Sequence, residues 1–192
     1  MRVPCIIIMH TLFRIRCVKN GSVPKNGAVI ICANHISLLD PLLIGISINR
    51  YIRFMAKSEF FCDRGLFVCA LMKSLGAFPV KRSTADKNAC RSAGDILKNG
   101  GAVGIFPQGK ISRDNSSPMK AGAAVLSVKS GAPVVPVSIK TNGRIRLFSK
   151  ISVIVGDPIF PPKNDSIRAA RTFSHLIEKT VKEVSGLEYK GS

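Results

Sequence analysis

His35 and Asp40, five residues apart in Asn34-His35-Ile36-Ser37-Leu38-Leu39-Asp40, are the side chains of this chain best suited to proton chemistry. A carboxylate beside an imidazole fixes its tautomer and stabilises the imidazolium, which makes a general base. Alone the spacing is weak, because a turn histidine and a helix N-cap aspartate give the same pattern. Three further polar segments add weight, each following a predicted strand. Gly76-Ala77-Phe78-Pro79-Val80-Lys81-Arg82 ends in two adjacent cations. Phe106-Pro107-Gln108-Gly109-Lys110-Ile111-Ser112-Arg113 turns at a glycine and brings cations and a hydroxyl. Lys120-Ala121-Gly122-Ala123-Ala124 puts a lysine at a helix start, where backbone N–H groups and the dipole favour anions. If the sheet is doubly wound, these ends converge near His35 as a base beside a phosphate-sized cationic pocket. No side chain in the set is an obvious nucleophile, so a substrate hydroxyl is expected to attack.

The elements that must position these residues follow from hydrophobic period. The apolar run 28–32 is a short buried strand ending at the His-Asp turn, and 42–48 is a helix with Pro41 in its first turn. Residues 13–18 alternate apolar and basic, which is strand period, and Asn20-Gly21 with Lys25-Asn26-Gly27 supplies turn chemistry. That strand is expected to pair with 28–32. Further strands are predicted at 51–56, 77–81, 102–106, 134–139 and 151–155. Helices are predicted at 4–11, 86–98, 121–130 and 166–184, and 60–75 is a strongly apolar helical region. Strands alternating with helices imply an α/β fold: a single domain with a largely parallel mixed sheet flanked by helices. No repeat, low-complexity tract or linker divides residues 1–192. A short apolar segment at 1–12 is a candidate membrane contact by its composition, and 161–192 holds the C-terminal helix.

The chain has 192 residues, with 29 Lys and Arg against 11 Asp and Glu. Residues 1–150 carry 23 basic and 6 acidic side chains; residues 151–192 carry 6 and 5. The basic field therefore belongs to the part that holds the His-Asp pair. It implies an anionic partner such as nucleic acid, phospholipid headgroups or a phosphorylated substrate. The nucleic-acid reading is disfavoured: no such motif occurs, Trp is absent, and aromatics make up only 6% without interleaving the cations. The six Cys lack C-x-x-C pairs and metal-ligand spacing to His, which fits reduced thiols and no metal. The apolar run after Arg2 is too short to span a bilayer and precedes no signal-peptidase site, so a secreted or membrane-spanning protein is not expected. His10 and His175 carry no partner signal.

The order N-H-x-x-x-x-D, G-A-F-P-V-K-R, F-P-x-G and K-x-G-A-A followed by V-P-V resembles the lysophosphatidic acid acyltransferases, over about residues 13–160. Gly21-Ser22-Val23-Pro24, Lys57-Ser58-Glu59-Phe60-Phe61 and Gly156-Asp157-Pro158 extend it. The resemblance implies the glycerolipid acyltransferase-like fold. It implies that His35 deprotonates the sn-2 hydroxyl of 1-acyl-glycerol-3-phosphate, that Asp40 orients it, and that no acyl-enzyme forms. Acyl carrier protein or CoA thioester would be the co-substrate, with no cofactor and no metal. Arg82 with Lys81 resembles the acceptor-phosphate ligand, Gly109 the turn glycine, and Lys110, Arg113 and Lys120 complete the candidate phosphate site. Asn34 and Gln108 are supporting residues. The apolar region 60–75 is either acyl-channel lining or a core helix. The third block departs from the family's F-P-E-G-T-R-S at Gln108, Lys110 and Ile111, which leaves open another lysolipid or an amino-lipid as acceptor. The implied location is peripheral, on an anionic membrane at the cytoplasmic face.

Overall fold

The computed structural model describes residues 2–19, 21–58, 76–80, 87–112, 117–164 and 166–186. Their elements run α1 (Arg2–Leu12), β1 (Arg14–Lys19), β2 (Val29–Ala33), α2 (Asp40–Ser47), β3 (Ile52–Lys57), β4 (Phe78–Val80), α3 (Lys87–Lys98), β5 (Ala102–Ile105), α4 (Gly122–Ser130), β6 (Val134–Thr141), β7 (Lys150–Val155) and α5 (Ile167–Gly186). The strands form one sheet in the order β1-β7-β6-β2-β5-β3-β4, and among these pairings only β6 with β7 is antiparallel. This is the α/β fold expected from the alternation of elements.

β2 shows why the sheet is covered on both sides. All five of its residues are buried. Val29, Ile31 and Ala33 join a core with Leu43, Ile44 and Ile48 of the α2 region and Met9 of α1. Ile30 and Cys32 face the opposite core, with Ala93 and Leu97 of α3, Ala123 and Leu126 of α4, and Phe173, Ile177 and Val181 of α5. Successive strand residues point to opposite faces, so a continuous apolar run specifies a central strand. The α5 residues Phe173, Ile177 and Val181 recur every four positions, one stripe of a helix. Ser166 starts that helix by accepting the Ala169 N–H at 3.1 Å.

One expected pairing is corrected. β1 does not pair with β2; it lies parallel to β7 at the sheet edge, Arg14 opposite Lys150 and Lys19 opposite Val155. Its pattern explains the place: Ile15 is buried while Arg14 and Arg16 are exposed, which suits an edge and not the doubly covered centre. The turn residues after β1 serve the other end of the molecule. Gly21 packs so closely on the Gly156–Asp157 backbone that a Cβ there would overlap it. The Arg50 guanidinium donates to the Pro24, Gly27 and Gly100 carbonyls. Two outlying blocks of the resemblance thus close the end of the sheet away from His35. The apolar region 60–75 lies outside the described residues. Among the described residues, no helix is long and apolar enough to cross a membrane.

Candidate active site

His35 leaves the C-terminal end of β2 in a tight turn that closes at the first residue of α2. Pro41 sits in that helix's first turn, where its missing N–H costs nothing. Asp40 Oδ2 accepts three bonds: from Ile36 N–H at 2.7 Å, from Ser37 N–H at 2.9 Å, and from His35 Nδ1 at 2.8 Å. Asp40 is fully buried and His35 is 7% exposed. The two backbone donors identify Oδ2 as a carboxylate acceptor, so Nδ1 carries a proton and Nε2 offers its lone pair. Among the described residues no hydrogen bond engages Nε2, and Asp40 Oδ1 is buried without a partner.

The turn is held from both flanks. Asn34 brackets Ile139 of β6, its Nδ2 donating to the Ile139 carbonyl at 3.0 Å and its Oδ1 accepting the Ile139 N–H at 2.7 Å. On the other flank the segment 106–112 clamps the His35 backbone. Gln108 Oε1 accepts the His35 N–H at 2.9 Å, and Ser112 N–H donates to the His35 carbonyl at 2.7 Å. The imidazole stacks on Phe106 with centroids 4.2 Å apart, and Phe106 stacks on Phe54 at 5.5 Å. Gly104 makes room for that stack, because a Cβ there would overlap the Phe54 ring.

The third and fourth blocks meet at one turn. Gly109 has φ +68°, the left-handed conformation that glycine adopts without strain, and a Cβ there would lie 3.6 Å from Lys120 Nζ. Lys120 N–H donates to the Pro107 carbonyl at 2.9 Å, which fixes the start of α4 to the same turn. Lys110 is exposed beside it. Gln108, where the resemblance has a glutamate, is 4% exposed and supports His35, whereas Lys110 and Ile111 are on the surface. β4 delivers the chain to this end of the sheet at Val80; Lys81, Arg82 and Arg113 lie outside the described residues. His10 and His175 are exposed on α1 and α5.

Sequence reasoning missed the Phe54–Phe106–His35 stack and the Gly104 that permits it. Phe106 reads in the sequence as the last residue of a buried strand, and no spacing links Phe54 to it. Among the described residues, no three His, Cys, Asp or Glu side chains cluster to hold a metal ion, and Cys17, Cys32 and Cys90 form no disulfide. Burial among apolar neighbours pushes the Cys32 thiol up to about 12.

A buried imidazole with Nδ1 held by a carboxylate, Nε2 unengaged among the described residues, and Lys110 and Lys120 at an adjoining glycine turn is an arrangement chemically able to take a proton beside an anion. Residues 14–140 match the family model described as Acyltransferase, and the chain belongs to that family. The protein is an acyltransferase. It is 27% identical over 174 residues to the 1-acyl-sn-glycerol-3-phosphate acyltransferase of Bacillus subtilis, covering 88% of this chain and 85% of that one. It is 29% identical over 140 residues to the enzyme of that name from Borreliella burgdorferi, covering 70% of this chain and 55% of the relative. The crystal structure of the 1-acyl-sn-glycerophosphate (LPA) acyltransferase PlsC from Thermotoga maritima superposes with a TM-score of 0.70 at 26% identity, covering 98% of this chain and 78% of that one.

Proposed function

We propose that the protein transfers a fatty acyl group from an acyl thioester to the sn-2 hydroxyl of 1-acyl-glycerol-3-phosphate, giving phosphatidic acid. The observation that carries this reading is the buried His35 Nδ1–Asp40 Oδ2 contact of 2.8 Å at a strand end, with no hydrogen bond on Nε2 among the described residues. The names of the relatives from Bacillus subtilis and Borreliella burgdorferi support the acceptor.

In this mechanism His35 Nε2 takes the acceptor's hydroxyl proton as the oxygen attacks the thioester carbonyl. Asp40 stabilises the imidazolium across the Nδ1 hydrogen bond. The tetrahedral intermediate collapses, the C–S bond breaks, and the thiolate leaves with the proton from His35. General-base help of this kind is worth roughly 10²–10⁴ in rate. The acceptor phosphate is held by Lys110 and Lys120 at the Gly109 turn, together with Lys81, Arg82 and Arg113. The donor is acyl carrier protein or CoA thioester, and no cofactor or metal takes part. The enzyme works at an anionic membrane, on the cytoplasmic face. One observation keeps a second acceptor in view: the departures Lys110 and Ile111 are exposed on the turn that would meet the headgroup, which favours another lysolipid or an amino-lipid if lysophosphatidate fails.

The test is lysophosphatidate-dependent release of free thiol from an acyl thioester, with phosphatidate identified as product. A folded His35→Ala variant should lose about 10²–10⁴ of turnover. Equal turnover in that variant would sink the mechanism, and turnover on a different lysolipid alone would reassign the acceptor.

A further inference from the structure

The loop between β6 and β7 presents the two apolar side chains Leu147 and Phe148 to solvent, 63% and 65% exposed. They occupy the centre of a closed turn: Ser149 N–H donates to the Arg146 carbonyl at 3.0 Å, and Arg146 N–H to Ser149 Oγ at 2.8 Å. Phe148 has φ 63°, and among the described residues it is the one non-glycine with positive φ. That third turn position ordinarily takes glycine, so a bulky aromatic held there in water is unfavourable for the free protein. Backbone strain of this kind persists only where the surrounding structure holds it, and it clusters at functional sites. The turn is not frayed: Phe148 N–H donates to the Leu12 carbonyl at 2.7 Å, and Arg14 N–H to the Ser149 carbonyl at 3.0 Å. Ile7 and Ile8 of α1, the helix whose last residue Leu12 accepts the Phe148 N–H, are also exposed, at 61% and 55%.

Cations flank this apolar tip. Arg14, Arg144, Arg146 and Lys150 are exposed, and no Asp or Glu occurs in residues 1–39 or 115–156, so no acid on these segments offsets them. An apolar tip ringed by Arg and Lys is complementary to an anionic bilayer: acyl chains take the tip and headgroups the collar. The place in the fold agrees. The end of β6 and the start of β7 lie at the same end of the sheet as His35, because β2 runs parallel to β6 and β7 antiparallel to it. A cleft of about 800 Å³ separates the loop from the catalytic turn, bordered by Ile36, Leu38, Ile111, Lys140, Arg144 and Ile145.

We propose that residues 144–150 dock the protein on an anionic lipid surface, inserting Leu147 and Phe148, so that the cleft opens toward the bilayer beside His35. The proposal deepens the lipid acyltransferase reading, yet binding can be measured without turnover. Full-length protein should co-sediment with phosphatidylglycerol-rich vesicles, release in high salt, and bind pure phosphatidylcholine weakly. A Leu147→Ser/Phe148→Gly variant should partition about tenfold more weakly, given the apolar area withdrawn from the bilayer. Glycine accepts the turn's φ, so this variant should melt no lower than the parent, which separates lost docking from lost folding. Arg144→Gln/Arg146→Gln should erase the preference for anionic vesicles. Undiminished binding by the Leu147→Ser/Phe148→Gly variant would overturn the proposal. So would a dimer that this variant abolishes while vesicle binding stays intact, since the tip would then serve a second copy of the chain. Docking as expected without turnover on lysophosphatidate would support the loop and count against the acceptor alone.

Discussion

Asp40→Asn is the substitution whose outcome the geometry constrains most. Three donors converge on Oδ2, so the introduced amide must turn its oxygen toward them, because its NH2 would set donor against three donors. His35 then keeps the Nδ1–H tautomer and Nε2 remains a base. What is lost is charge. A hydrogen bond to a charged group is worth about 1.5–3 kcal/mol and a neutral one about 0.5–1.5, so the imidazolium loses roughly 1–2 kcal/mol of support. That difference corresponds to about a 5- to 30-fold fall in turnover. The displaced NH2 occupies the buried position of Oδ1, which has no partner among the described residues. An unsatisfied buried amide costs about 1–3 kcal/mol of stability. For a chain of this size the melting temperature should drop by roughly 2–12 °C. Asp40→Ala removes the orienting acceptor altogether and should approach the His35→Ala loss of about 10²–10⁴. Thiol release measured with calorimetric melting of the same samples separates rate from folding. If folded Asp40→Asn is as inactive as His35→Ala, the carboxylate does more than orient and stabilise the imidazole, and the reasoning fails; wild-type turnover would refute it from the other side.

Two further perturbations test the support of the site and the core. Gly104→Ala forces the Phe54 ring to move, and through the Phe106 stack it should disturb His35. Overpacking of this kind costs about 1–3 kcal/mol, so turnover and melting temperature should fall together and recover when Phe54→Leu is added; an unchanged rate in a destabilised Gly104→Ala would show that the stack does not position the base. Cys32 makes stability fall at alkaline pH. Its folded thiol is pushed up to about 12 from an ordinary 9.0, so the unfolded chain releases the proton first. The contribution is fully present below pH 9.0 and is lost between that value and about 12, with a slope of up to roughly 1.4 kcal/mol per pH unit. Urea titrations at neutral and alkaline pH should therefore show a shallower alkaline decline in Cys32→Ala than in the parent, and identical slopes would rule the effect out.

The sequence alone determined the periodic elements and the residues of the His35–Asp40 turn. The run 29–33 is apolar throughout because it is covered on both faces, and that makes it legible as a buried strand without knowledge of the sheet. The His35–Asp40 contact was legible because five residues of tight turn are a local constraint, closed by the aspartate's own backbone neighbours. The glycine turn at Gly109 and the lysine that starts α4 were legible from residue type, since each answers to local backbone chemistry.

Pairing and support were decided by the tertiary structure. The turn residues after β1 suggested a local pairing with β2, but β7 takes β1 as its parallel edge partner, from about 135 residues further along the chain. Gln108 reads in the sequence as a lost acidic site residue, whereas in the fold it secures the His35 backbone from 73 residues away. The Phe54–Phe106–His35 stack and the strained Phe148 turn had no local signal, because each depends on which strands lie side by side. Local propensity and period are written into neighbouring residues. Strand order, and with it the wall against which His35 is held, comes from burying the apolar faces of the whole chain at once.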